Sequence, residues 1–223
     1  MCWSFEASLS TFLLGAVSSL YLIYRNGYLD RIVGYIMLYI TSMQGLEALM
    51  WTDQKCNGLN QYATKISIFQ NLILPFVVFL ILQDFYLKEY KSYVNLLILV
   101  YGFSTLFYLN QVVIQNMDNP NFFCTTALNE QHLQWNWINW INEKTNSLEG
   151  YFWILFIIAL VLPMFFLKNR NFSYYMGLCF GLSLLISIFY YQGSRSIGSW
   201  WCFMAVLVPI IKLLLPENYF RIK

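Results

Sequence analysis

The chain has 223 residues, of which 59% are hydrophobic, 20% aromatic and only 11% charged, with a formal net charge of +2. A soluble domain carries about 25% charged residues, so the ionic groups are too few to cover a water-facing surface, and lipid must cover it instead. The small net charge also excludes the clustered basic face that nucleic-acid binding requires.

A helix crossing the hydrocarbon core needs about 20 mostly apolar residues. Such runs fall at residues 6–24, 32–51, 66–87, 93–114, 151–167, 172–191 and 199–215. They predict an all-α bundle of seven transmembrane helices, one membrane domain over residues 1–223. The first run opens on Ser4, suited to N-capping, and Glu6, suited to the positive end of the helix dipole. Ser8, Thr11, Gly15 and Ser18 share one of its faces, a small-residue packing seam. No basic segment precedes it, so it is read as a retained span and not as a cleaved signal.

The second run ends in "MQGLEALMW", where Gln44, Glu47 and Trp51 are spaced i, i+3, i+7 and share a helix face. The third brings Ser67, Gln70 and Asn71 to a matching depth. Pro75 then removes the hydrogen bond that the Asn71 carbonyl would accept. Between the fourth and fifth runs lies a long connection containing "QHLQWNWINWINEK". Its residues Leu133, Trp137, Trp140 and Ile141 fall on one helical face, which predicts an amphipathic helix in the membrane interface or, alternatively, a folded cap packed on the bundle. The fifth run contains Pro163, and the sixth carries Ser173, Gly177 and Gly181 at intervals of four. The seventh starts with "GSWWC", placing Ser199 and Trp201 level with Glu47, and contains Pro209. Lys212 near its far end is expected to snorkel to the interface or to pair with Asp84.

Charge sets the direction. Arg25, Arg31, Lys88, Lys91, Lys168, Arg170, Lys212, Arg221 and Lys223 fall on one side, against Lys55, Lys65, Lys144 and Arg195 on the other. The positive-inside rule then puts the N-terminus outside and the C-terminus in the cytoplasm. Cys2, Cys56, Cys124 and Cys202 all fall towards the outer, oxidising side, so at least one disulfide among them is expected; four cysteines allow three pairings. Neither CxxC spacing nor a histidine cluster supports a metal site, and no cofactor is implied.

Ionisable groups within a membrane are costly and mark functional sites by default. Glu47, with Gln44, Gln70, Asn71 and Ser199, is therefore the candidate site for a small cation or solute entering from outside. Two readings stand: a channel or transporter using these groups, and a non-catalytic structural or accessory component in which they only hold the bundle together. No HExxH or G-x-S-x-G motif points to an enzyme. A retinal protein would need a lysine midway along its last span, and Lys212 lies too close to the end. The partners implied are the bilayer, a small cation or solute, and a second copy of the chain.

The segments "MCWS" at 1–4, "QGLEALMW" at 44–51 with "CN" at 56–57, and "GSWWC" at 198–202 resemble a family of multi-pass membrane proteins from large DNA viruses and single-celled eukaryotes. The resemblance implies that Cys2, Trp3, Glu47, Cys56, Ser199 and Cys202 form a signature. It implies no activity.

Overall fold

The computed structural model describes residues 4–119, 121–128, 132–137, 147–190 and 197–220. Helices dominate: α1 (Phe5–Arg25), α2 (Asp30–Thr52), α3 (Leu59–Leu82), α4 (Lys88–Tyr108), α5 (Ser147–Val161), α6 (Arg170–Tyr190), α7 (Ile197–Ala205) and α8 (Leu207–Leu214). Among the described residues six apolar helical stretches are long enough to cross a bilayer, α7 and α8 counting together as one; Gly150–Phe166 is apolar but shorter. Leu13, Val17, Leu80, Phe103 and Phe189 all point outward. A surface this apolar needs lipid. The chain is a multi-pass membrane protein.

Local chemistry accounts for both ends of α1. The Ser4 hydroxyl accepts the Ala7 N–H at 3.1 Å and starts α1. Asn26, at φ 54° in the left-handed region, ends it. The predicted seam on α1 is buried and lies against α2, where a Cβ on Gly15 would overlap the Thr41 methyl. The α3 helix begins at Leu59, earlier than the apolar run from residue 66 predicts, and ends at Leu82 rather than at 87. Its polar first turn is helical because the Asp53 carboxylate accepts the N–H groups of Asn57 and Asn60, each at 3.1 Å.

Proline shapes two spans. Around Pro163 the fifth helix tightens into a 3-10 stretch, Leu162–Phe166. The predicted seventh span is two pieces, α7 and α8, parted at Val206. Pro209 donates no hydrogen bond and its ring crowds the carbonyl four residues back, which belongs to Ala205, the last residue of α7. At its far end α4 passes into a π-helical turn, Leu109–Val113. On α6, Ser173 donates to the Met164 carbonyl at 2.8 Å, and Gly177 admits the Phe165 ring.

The predicted interfacial helix is not what residues 132–137 form. Thr125–Leu128 (β1) and His132–Trp135 (β2) pair antiparallel, Thr125 opposite Trp135 and Leu128 opposite His132. Leu133, Trp135 and Trp137 are all buried, an alternation of period two that a strand satisfies and a helix does not. The Trp135 and Trp137 rings stack with centroids 5.3 Å apart. The rest of that predicted helix, residues 138–144, lies outside the described residues. Tertiary tethers decide the outcome: a Cys56–Cys124 disulfide holds β1 beside the start of α3, and Tyr108 donates to the Trp137 carbonyl at 3.0 Å. The hairpin thus caps one end of the bundle. At the opposite end, Leu87 N–H donates to Phe166 O at 2.9 Å and Lys168 N–H to Phe85 O at 2.8 Å, joining two inter-helix connections.

Candidate functional site

Gln44 and Glu47 lie one turn apart on α2, both fully buried, with Gln44 Nε2 donating to Glu47 Oε2 at 2.8 Å. The spacing is what makes the bond: residues three apart stack on one helix face. Across from them, Ser199 and Cys202 are buried one turn apart on α7. The Cys202 thiol is within electrostatic reach of the Glu47 carboxylate. It is a free thiol, so Cys202 does not supply a bridge; it sits on a buried helix face within the bundle. Cys2 lies outside the described residues.

Asn71 and Gln70 part company. Asn71 is buried, bonds back to Ser67 O at 3.0 Å, and lines a cavity of about 40 Å³ with Trp135, Trp153 and Trp201. A space of that size holds a water or two. Gln70 turns instead to α2, donating to Tyr39 O at 2.6 Å and Ser42 Oγ at 2.5 Å while Tyr39 OH donates back to Gln70 O at 2.9 Å. Adjacent helical positions differ by about 100° in direction, so both amides cannot face one pocket. Gln70 is a helix clamp.

Asn60 organises the cap as a buried member of the first turn of α3, a polar turn that lies before the third apolar run. Its Nδ2 donates to Met50 O at 3.0 Å and Thr125 O at 2.7 Å, and its Oδ1 accepts from Thr125 N at 2.9 Å. One side chain therefore joins the end of α2, the start of α3 and the hairpin. Gln54 adds a bond from Ala127 N–H to its Oε1 at 2.7 Å. In the cap, the amide N–H groups of Asn60 and Asn57 hold the Asp53 carboxyl below its usual range. Partial burial pushes His132 below the ordinary histidine value.

A second charged group, unexpected from the sequence, closes the opposite end. Lys212 neither snorkels nor meets Asp84. It is fully buried and its Nζ lies 2.6 Å from Asp30 Oδ1, with Asp30 itself fully buried. Arg25 grips the same carboxylate through Nε at 2.6 Å and Nη2 at 3.0 Å, and Gly27 N–H donates to it at 3.1 Å. The Phe220 ring lies 4.5 Å from the Lys212 ammonium, held there by Asn169, which donates to Phe220 O at 2.5 Å. Lys212 is too far from Asp84 because that residue bends out into solvent towards Lys91, 3.8 Å away. The hint that sequence did offer was a lone lysine and a lone aspartate, each at the end of an apolar run.

Chemically the two centres differ: the Glu47 carboxylate accepts from a neutral amide, whereas the Asp30 carboxylate is committed to two cations. Among the described residues no cluster of three metal-ligating side chains occurs. Searches against protein-family models, curated proteins and solved structures return no match.

Proposed function

We propose that this chain is a seven-span membrane protein, N-terminus exoplasmic and C-terminus cytoplasmic, that binds a small cation or a proton at Glu47 from the exoplasmic side during transport. The observation carrying this reading is a carboxylate fully buried between spans, bonded to Gln44 at 2.8 Å. Intramembrane carboxylates that face a bundle interior line ion pathways. The neighbouring span is interrupted between α7 and α8, and broken helices accompany ion sites in transporters. Buried hydroxyls of Thr11, Ser19 and Thr41 supply polar groups along α1 and α2 between the Glu47 and Asp30 levels. Complete burial of Glu47 corresponds to a closed form.

Two independent features support the orientation. Among the described residues Arg25, Arg31, Lys88, Lys91, Lys168, Arg170 and Lys212 belong to the uncapped side, against Lys55 and Lys65 on the other, and the disulfide belongs to the cap, where an oxidising compartment would preserve it. The short Gly150–Phe166 helix completes the count, since local bilayer thinning accommodates such lengths. Membership in the viral and protist membrane family belongs to the same proposal; Glu47, Ser199 and Cys202 of its signature lie on α2 and α7 at the capped end.

The test is ion flux in proteoliposomes, wild type against Glu47→Gln, with thermal melting as the fold control. The expected result is a loss of flux of about tenfold or more at unchanged melting temperature. Unchanged flux in the variant removes the binding role. A second reading, a non-catalytic membrane component whose polar groups join helices, is favoured by the sealed position of Glu47. It predicts no flux in wild type and earlier melting of Glu47→Gln.

A further inference from the structure

A groove of about 560 Å³ runs along the outer surface between α3 and α4, and its polarity changes from one end to the other. On α4 its lining residues Lys91, Asn95, Ile98, Gly102 and Leu106 recur every three or four positions, one stripe of the helix. From Lys91 to Leu106 the stripe is about 22 Å long at 1.5 Å per residue, against a hydrocarbon core of about 30 Å. It therefore reaches from an interface past the midplane.

The polar groups gather at one end only: Gln83, just past the end of α3, with Lys91 and Asn95 of α4. Beyond them the walls are Phe76, Phe79, Ile98 and Phe103. Lys91 is half-exposed and lies 3.8 Å from Asp84, which is itself exposed. Such a solvated pair is weak and its lysine readily changes partner. Lys168 brings a second ammonium to the same mouth, donating to the Asp84 carbonyl at 2.7 Å. Gly102 leaves the groove floor low, with Phe76 as its neighbour.

We infer that this groove is a binding site for a glycerophospholipid, its phosphate on Lys91 with the Gln83 and Asn95 amides, and one acyl chain lying along Phe79, Ile98 and Phe103 towards Leu106. A phosphate needs a cation and hydrogen-bond donors, and the acyl chain needs a continuous apolar wall; the groove presents them in that order. The assignment rests on the chain lying in a bilayer and is independent of any role for Glu47.

Native mass spectrometry of the purified full chain tests it, titrating dioleoylphosphatidylglycerol against dioleoylglycerol, which has the same chains and no phosphate. The phospholipid should bind about tenfold more tightly. Lys91→Glu should abolish that preference, whereas Lys55→Glu at the capped end should not. Gly102→Leu should weaken both lipids by filling the groove; a Cβ there comes no nearer than 3.5 Å to Phe76. If Gly102→Leu melts early, Leu106→Trp at the exposed far end of the groove replaces it. Equal retention of the two lipids, equal effects of the two lysine variants, or full binding by the groove-filled variant each overturns the site.

Discussion

Lys212 shows how one side chain can stabilise a membrane protein only through its partner. A fully buried ammonium is tolerated because Asp30 lies 2.6 Å away, and the carboxylate in turn satisfies Arg25 and Gly27. Removing one member of a buried pair leaves an uncompensated charge and costs about 3–5 kcal/mol. Asp30→Ala is therefore expected to lower stability by that amount in detergent unfolding, with Lys212→Met in the same chain restoring much of it. A loss in the double variant equal to the sum of the losses from Asp30→Ala and Lys212→Met alone would show that the pair is not coupled. Gln44 and Glu47 were legible in the sequence because their bond stays within one helix turn. The Asp30–Lys212 pair was not, since 182 positions separate its members and no local pattern joins them.

Among the elements, the hairpin and the connection from α2 to α3 behave as one cap. The Cys56–Cys124 bridge closes 68 residues of chain, a loop for which chain entropy gives about 4 kcal/mol. Cys56→Ser should reduce the stability of the cap towards that limit, read as earlier proteolysis between β1 and α5. Its pH dependence has two signs to work out. Asp53 has a depressed folded value, so its contribution is present above about pH 4 and is lost as pH falls through the folded value. Burial depresses His132 too, but for a base this means the folded cap prefers the neutral ring. Stability then rises with pH between the folded value and about 6.5 and is level above it. Melting temperature should fall in two stages on acidification, with His132→Gln removing the upper stage and Asp53→Asn the lower. The predicted interfacial helix failed at this scale: the face through Leu133 and Trp137 fits a helix, but burial of Trp135 as well demands a strand.

For the whole molecule, orientation is the property on which the transport proposal depends. Lys55 in the cap connection and Lys88 at the start of α4 are both exposed and lie at opposite ends. A membrane-impermeant maleimide added to intact cells should label Lys55→Cys directly, and Lys88→Cys only after permeabilisation. The opposite pattern would turn the bundle over and put the Glu47 site on the cytoplasmic side. The two buried polar centres at the ends of α2, one an acid–amide pair and one an ion triad, would then exchange compartments.

Sequence alone determined the apolar runs, the charge bias between their ends, the packing seams on α1 and α6, and the shared face of Gln44 and Glu47, because hydropathy and helical period are local quantities. It did not show that Gln70 turns away from Asn71, that Asn60 binds the hairpin, that Cys56 pairs with Cys124 while Cys202 stays reduced, or that Lys212 meets Asp30. Only the tertiary structure decided these. Each is a pairing between distant segments, and within lipid a buried polar group takes whichever partner the packing brings within hydrogen-bond reach.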